Sequence, residues 1–274
     1  MGRGEAHLTM DGFALGPLLL SLDRLAVVLG FMVLLVFVEV LTRRVDPRFG
    51  RWSYLAAAAG VVSARLGHVL ENLDTFAATP WRVLAIWQGG FSLPWAVLPV
   101  LVVTALVLPR PRLAAWGLAA VASGLVAWAA VDRLTTDTGA PRLPQITLQA
   151  IDGPPVTLAD TAGRPTVINT WATWCPPCRR EMPLLADAAR AHPEVRFIFA
   201  NQGEDPKKIR AYFGREQLQL PNVVLDAGMA IPRHYGAVGV PMTLFVRPDG
   251  SLAGYHTGEI SPEQLQAKLA AAKR

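Results

Sequence analysis

The chain has 274 residues, 26 Lys and Arg against 21 Asp and Glu, and only two cysteines. Hydrophobic residues make up 52% of it and charged residues 17%, well below the ~25% charged that is usual for soluble domains, which excludes a single soluble domain. Two cysteines exclude a disulfide-rich scaffold and a four-thiolate zinc centre; without a run of roughly five or six basic residues or a basic–aromatic strip, the net charge of +5 implies no nucleic-acid partner.

The charge deficit is uneven. Residues 1–131 hold 10 basic and 7 acidic side chains, whereas residues 132–274 hold 16 and 14. Within the first half, residues 25–41 carry one charge (Glu39), residues 52–70 carry one (Arg65), and residues 91–108 and 113–131 carry none. Apolar stretches of about 17–25 residues match the hydrocarbon core of a bilayer. They predict an all-α membrane region of four transmembrane helices over residues 1–131. Arg43, Arg44, Arg48 and Arg51 fall in one short loop and Arg110 and Arg112 in another, while the 71–90 loop sets Arg82 beside Glu71 and Asp74. The positive-inside preference makes the first two loops cytoplasmic. The N-terminus and everything after residue 132 then lie outside, with Trp81 and Trp87 in the outer interfacial belt.

A cleavable signal peptide has its basic residues before the apolar run and a small-residue cleavage site after it. Here the basic cluster follows the run, so an uncleaved anchor is expected. Glu39 is expected to snorkel toward the headgroups. Intramembrane charges are functional candidates by default; for Arg65 the expected role is structural, a bridge to Asp23 at similar depth.

The segment 60–68 (GVVSARLGH), then Asn72-Leu73, Pro80 and the run 86–92 (IWQGGFS), resembles the front half of bacterial prolipoprotein diacylglyceryl transferases, as does Leu15-Gly16-Pro17. The resemblance covers roughly residues 13–105. In that family the Gly-Gly-x-Ser run is followed by an essential His-Gly, whereas here Ser92 is followed by Leu93-Pro94-Trp95. The family's later helices have no counterpart. The resemblance therefore implies an incomplete, transferase-like anchor, and leaves lipid or lipoprotein contact near Arg65 and His68 open. His68 is expected to be a packed or interfacial histidine, since no partner triad is visible.

Residues 132–143 are polar, with Gly139 and Pro141, and read as a short linker. From residue 144 the periodicity changes. Residues 145–149 alternate and 156–158 form a short apolar piece, so both read as strands; 166–171 and 195–200 read as buried strands. A helix over 176–191 between the last two makes a βαβ unit and a parallel pair. Asp205-Pro206 looks like an N-cap with Pro at N1 for a helix to about 217. Residues 242–246 and 251–255 read as a hairpin, and Ser261-Pro262 opens a last helix to about 271. The 144–274 segment is thus expected to be an independent α/β domain.

Both cysteines fall in Trp174-Cys175-Pro176-Pro177-Cys178, directly after the 166–171 strand. At a strand–helix junction the first sulfur meets free N–H groups and the positive end of the helix dipole, which favour thiolate. A zinc site would need two further ligands at matching spacing, and no cysteine remains. The pair is too close in sequence for a disulfide that stabilises much by loop closure. Disulfide exchange is the chemistry that fits.

Residues 169–183 (NTWATWCPPCRREMP), 201–204 (NQGE) and 239–243 (GVPMT) resemble the TlpA/ResA-like thioredoxin family, which includes the CcmG cytochrome c maturation proteins. The resemblance covers about 140–273. It implies a thioredoxin-like domain with a mixed central sheet and a membrane-anchored periplasmic thiol–disulfide oxidoreductase in the bacterial inner membrane, often a reductase. It also implies residue roles. Cys175 is the exposed nucleophile and Cys178 the resolving thiol. Pro241 is a cis-proline beside the site, leaving the Val240 backbone for substrate. Glu204 is a buried carboxyl with a raised pKa that accepts the Cys178 proton. Asn169 stands where thioredoxins keep a titrating Asp, and it cannot titrate. Trp171 is expected in the core, Trp174 at the rim against substrate, and Arg179 and Arg180 as solvated charges.

The expected partners are protein disulfide substrates, the lipid bilayer and a separate membrane or periplasmic electron donor, since residues 1–131 contain no cysteine. No cofactor beyond the redox-active Cys175–Cys178 disulfide and no metal is expected. The alternatives are a disulfide oxidase of the same fold, a phosphatidylglycerol–prolipoprotein diacylglyceryl transferase, and a module holding Cu(I) on Cys175 and Cys178.

Overall fold

The computed structural model describes residues 13–15, 18–20, 22–136, 143–161, 163–235 and 239–274. The chain divides into two compact units, Phe13–Asp137 and a second that contains Thr138–Arg274.

The first unit opens with a short antiparallel pair, β1 (Phe13–Leu15) and β2 (Leu18–Leu20). Helices follow at all four expected positions: α1 (Leu22–Arg44), α2 (Arg48–Glu71), a short α3 (Leu73–Ala78), then α4 (Leu93–Val107) and α5 (Pro111–Thr136). Stretches of three of these, Ala26–Arg44, Arg48–Glu71 and Pro111–Val131, are long and apolar enough to cross a membrane. The fourth, α4, is shorter than the 91–108 expected. Gly89 and Gly90 sit at φ +74° and +81°, outside the helical region, and Leu108 leaves it again before Pro109. Its 15 residues rise only ~22 Å.

Packing within this unit explains its small residues. Gly30 of α1 and Gly124 of α5 approach so closely that a Cβ on Gly30 would meet the Gly124 carbonyl at 2.8 Å. Gly60 and Gly67 do the same for α2 against α4, facing Val100 and Trp95. Phe49, Trp52, Leu108 and Ala120 form the buried interior, where the Trp52 indole N–H donates to the Thr104 hydroxyl at 3.0 Å. Val27, Phe31, Met32, Val36, Val97 and Val126 face outward. A helical unit apolar on its outer face as well as its inner one is suited to lipid.

In the second unit a seven-stranded mixed sheet runs in the order β4-β3-β7-β6-β5-β8-β9. Its strands are β3 (Thr147–Ala150), β4 (Val156–Thr157), β5 (Thr166–Trp171), β6 (Arg196–Asn201), β7 (Val223–Leu225), β8 (Met242–Val246) and β9 (Leu252–Thr257). β5 pairs parallel with β6 and antiparallel with β8. The helices are α6 (Pro176–Ala191), α7 (Pro206–Glu216), α8 (Ala230–His234) and α9 (Pro262–Ala272). The expected strand–helix–strand unit is β5-α6-β6. All six residues of β5 are buried, so its side chains feed both faces of the sheet. Val167 and Trp171 join Met182, Leu185 and Leu269 on one side; Ile168 joins Ile198, Leu244 and Tyr235 on the other. Asp205 and Ser261 cap α7 and α9 as expected, accepting from the Lys207 and Gln264 amides. β7 and α8 were not anticipated.

Candidate active site

β5, an interior strand, ends at Trp171, and Ala172-Thr173-Trp174 turns the chain into α6, where Cys175 is the N-cap residue. The cysteines form a disulfide. The Cys178 amide N–H points at Cys175 Sγ, 3.3 Å away. Free amides at a helix start stabilise negative charge there, so on reduction Cys175 is the sulfur placed to become thiolate.

Cys175 was expected to be exposed. In the disulfide it is only 2% exposed, and Cys178 is fully buried. The reason is geometric: Cys175 Sγ turns inward to bond Cys178 and faces the Val240 carbonyl oxygen at 3.7 Å. The solvent-facing part of the site is Trp174, 63% exposed, with Pro176 beside it. The Val240–Pro241 peptide bond is cis. Trp171 is buried, stacks on Phe213 and meets Tyr212 in a tilted contact.

Glu204 departs from expectation in its charge. Its oxygens accept from the Thr173 amide and hydroxyl, both at 2.6 Å, and from Asn201 Nδ2 at 2.9 Å; Lys208 Nζ lies at 2.6 Å. Burial pushes its pKa up, but the bonds from Asn201, Lys208 and Thr173 together outweigh burial and hold it down at about 2. Glu204 is therefore a fixed anion, not a raised-pKa proton acceptor. What it does is clamp Thr173, two residues before Cys175, to the start of the loop after β6.

The buried acid with a raised pKa is Glu181, to which the sequence reading assigned no role. It lies one turn beyond Cys178 on the buried face of α6 and is 1% exposed. Burial pushes its pKa up to about 7, against the opposing hydrogen bonds from the Ile260 amide (3.0 Å) and Asn169 Nδ2 (2.9 Å). Asn169, the residue that cannot titrate, thus orients one that does. Its Nδ2 also donates to Thr243 Oγ1 at 2.9 Å, one residue beyond Met242, which follows Pro241. The sequence signal was available: Cys178, Glu181, Met182 and Leu185 form a helical core stripe, and a carboxylate inside it must be paired or neutral. Arg179 pairs with Glu216 and Arg180 with Glu259 across the surface. Among the described residues no group of three or more His, Cys, Asp or Glu is arranged to hold a metal ion.

In the membrane-type unit, Arg65 is buried and donates to the carbonyls of Val83, Gly89, Gly90, Arg82 and Ala85. These bonds tie the 80–90 loop to α2. The side chain of Asp23, its expected partner, lies outside the described residues, as do Gly16 and Pro17. His68 is packed edge-on against Phe76, with Nδ1 3.5 Å from Asn72 Nδ2. Ser92 and the Trp95 indole both donate to Glu71, and Trp95 covers Gly67. Glu39 pairs with Arg43 on the surface of α1.

A thioredoxin-like sheet with a Cys-x-x-Cys disulfide at its strand–helix junction defines a thiol–disulfide oxidoreductase. Residues 138–272 match the Redoxin family model and residues 13–134 match that of prolipoprotein diacylglyceryl transferase, so the chain joins a transferase-type membrane region to a redoxin-type domain. Among similar proteins are the thioredoxin-like protein YneN of Bacillus subtilis, 27% identical over 130 residues (46% of this chain, 75% of the relative), and the thiol-disulfide oxidoreductase ResA of Halalkalibacterium halodurans, 28% identical over 121 residues (43% and 68%). A solved structure of a secreted Mycobacterium tuberculosis disulfide oxidoreductase is 28% identical, covers 46% of this chain and 96% of its own, and has a TM-score of 0.42.

Proposed function

We propose that the chain is a membrane-anchored reductase of protein disulfides, with its redoxin-type domain outside the cytoplasm and four membrane crossings, α4 being a short one. The observation that carries the chemistry is the Cys175–Cys178 pair at the start of α6, with the Cys178 amide directed at Cys175 Sγ. In the reduced protein the Cys175 thiolate attacks one sulfur of a substrate disulfide. That S–S bond breaks, a mixed disulfide forms on Cys175, and the other substrate sulfur leaves as thiolate and takes up a proton. Cys178 then gives its proton to Glu181 and attacks Cys175 Sγ. The internal disulfide re-forms and the second substrate thiol is released, so two electrons pass from the protein to the substrate.

Glu181 is suited to this step because its pKa of about 7 is matched to neutral conditions. Trp174 and the Val240 carbonyl flank Cys175 and would contact the substrate chain. Anions favour reductant over oxidant behaviour. Glu204 is held ionised next to Thr173; negative charge near the dithiol opposes thiolate and destabilises the reduced form. With no cysteine in residues 1–131, electrons must come from a separate membrane or periplasmic donor. Apocytochrome c and metal-site cysteines are the proposed client classes.

The Cys178→Ser variant tests this. It should accumulate a covalent adduct through Cys175 that dissolves on adding reductant, seen on non-reducing gels of intact cells. If no adduct forms while the variant is present at normal levels, exchange through Cys175 is wrong.

A further inference from the structure

Trp174 and Pro176 are exposed beside the buried disulfide, so a partner that reaches Cys175 must cover them. Three ion pairs stand around this apolar tip. Lys208 meets Glu204 at 2.6 Å, and Glu204 accepts from the amide of Thr173, the residue before Trp174. Arg180, two residues after Cys178, meets Glu259 at 2.7 Å; Glu259 follows Gly258, whose amide donates to the Pro241 carbonyl. Arg179 meets Glu216 at 3.0 Å. The pairs thus reach from α7 through α6 to the segment around Pro241.

In two of them the charges are sorted by depth. The Lys208 side chain is 56% exposed and that of Glu204 6%; Arg180 is 51% exposed and Glu259 9%. Each pair is neutral in sum, but its cation faces water and its anion faces the protein. In the third pair both partners are partly exposed, the arginine more so. The inward anions act on the dithiol, as Glu204 does through Thr173. The outward cations act on whatever approaches, and the start of α6 adds the same sign. Of the other acids in residues 171–183 and 201–216, Glu181 is buried, and Asp205 turns its carboxylate to the Lys207 amide at 2.8 Å.

An exposed aromatic ringed by outward cations has the anatomy of a docking surface, with aromatic contact at the centre and charge at the rim. Rim charge sets on-rate and choice of partner. A basic partner would meet three cations, and a neutral one would gain nothing from their arrangement. An acidic partner answers all three without disturbing the anions beneath.

We propose that the redoxin-type domain selects protein disulfides set in acidic surroundings, with substrate Asp or Glu side chains reaching Arg179, Arg180 and Lys208 around a contact on Trp174. This selectivity rests on the reading of Cys175–Cys178 as a dithiol that reduces substrates, and adds the charge of the substrate to it.

The test uses the full chain, purified in an uncharged detergent and reduced, with three synthetic peptides. Each peptide carries the same internal disulfide, flanked by Asp, by Ser or by Lys residues. Each rate of reduction is divided by that of the same peptide with 2-mercaptoethanol, which removes the peptide's own reactivity. At ~0.15 M salt the Asp peptide should be reduced about tenfold faster than the Lys peptide, with the Ser peptide between them. At ~1 M salt, where the Debye length falls to ~3 Å, the spread should close. Arg180→Gln leaves Glu259 without its cation and should cut the Asp-to-Lys ratio about threefold, and Lys208→Gln should do the same beside Glu204. Arg190→Gln lies ~18 Å beyond Cys178 along α6, more than two Debye lengths at ~0.15 M salt, and should leave the ratio unchanged. Equal rates for the three peptides overturn the inference and leave the exchange chemistry standing. An equal drop in Arg190→Gln also overturns it, because net charge and not the ring would then be acting. If 2-mercaptoethanol reduces every peptide and the protein reduces none, the reductase reading fails and the inference fails with it.

Discussion

Glu181 and Glu204 lie on either side of the disulfide and are tuned in opposite directions by two competing effects. Both are desolvated, which favours the neutral acid. Glu204 meets four donors, one of them cationic, and stays charged; Glu181 meets two neutral donors and does not. The consequences for stability follow from linkage. Glu181 has a folded pKa raised from 4.5 to about 7, so the folded state holds the proton more tightly and stability falls as pH rises from 4.5 through 7. Glu181→Gln should remove that fall, a gain of up to about 3 kcal/mol at pH 8, read as slower hydrogen exchange of the β5 amides in the full chain. A preserved pH slope would show that Glu181 is not the titrating group. For Glu204 the folded pKa is depressed to about 2, so its contribution is complete above 4.5 and is lost as pH falls toward 2. Glu204→Gln brings an amide N–H₂ against donors that need an acceptor. Leaving one unpaired costs about 2 kcal/mol, or about 30-fold faster exchange at the Thr173 amide. An unchanged rate would mean that the clamp is not formed. The family resemblance marked Glu204 as an acid near the sulfurs, but its charge state also depends on Thr173, 31 residues away, a convergence that is tertiary. Glu181 was legible from helical periodicity, because a carboxylate in an apolar stripe signals itself.

Elements were readable where pattern and punctuation agreed. α6 was bounded by its Cys-Pro-Pro-Cys start, α7 and α9 by Asp205-Pro206 and Ser261-Pro262, and β5 and β6 showed as short segments rich in β-branched and aromatic residues. β7 has three residues and α8 has five. Neither is long enough for a period to show, and α8 contains Pro232, which reads as a breaker. The length of α4 was overestimated because Phe91 and Ser92 belong to the apolar run, while Gly89 and Gly90 fix the backbone before it in a conformation that a helix does not use. The pairing of α2 with α4 is a further element-level property that no single segment reveals. A Cβ on Gly67 would overlap the Cβ and Cγ of Trp95, so Gly67→Ala must push the helices apart at a cost of about 1–3 kcal/mol. The thermal midpoint of the full chain in detergent should drop, and Trp95→Ala in the same chain should restore part of the loss. A midpoint that does not move would place Trp95 away from α2.

For the whole molecule, the arginine distribution and the packing of α2 on α4 bear on the same question, the number of crossings. Arg48 and Arg51 at the start of α2 line one groove with Pro109 at the end of α4, so the two arginine-rich loops meet at one end of the unit. That arrangement requires α4 to run back across whatever α2 crosses. Its ~22 Å rise is short of the ~30 Å hydrocarbon core, and a short helix is accommodated by local thinning at a cost of fractions of a kcal/mol per Å. The extended residues at 89–92 and 108–110 take up the remaining distance, and Arg65 holds the first of these segments by its bonds to Gly89 and Gly90. Single cysteines introduced at Leu84, Arg112 and Arg43, in a chain with Cys175 and Cys178 changed to Ser, decide it. In intact spheroplasts a membrane-impermeant maleimide should label the Leu84 position and spare the other two, which should react only after lysis. Labelling at both 84 and 112 from outside would mean that α4 does not cross. α5 would then carry the redoxin-type domain into the cytoplasm, where its disulfide substrates would be kept reduced by other means.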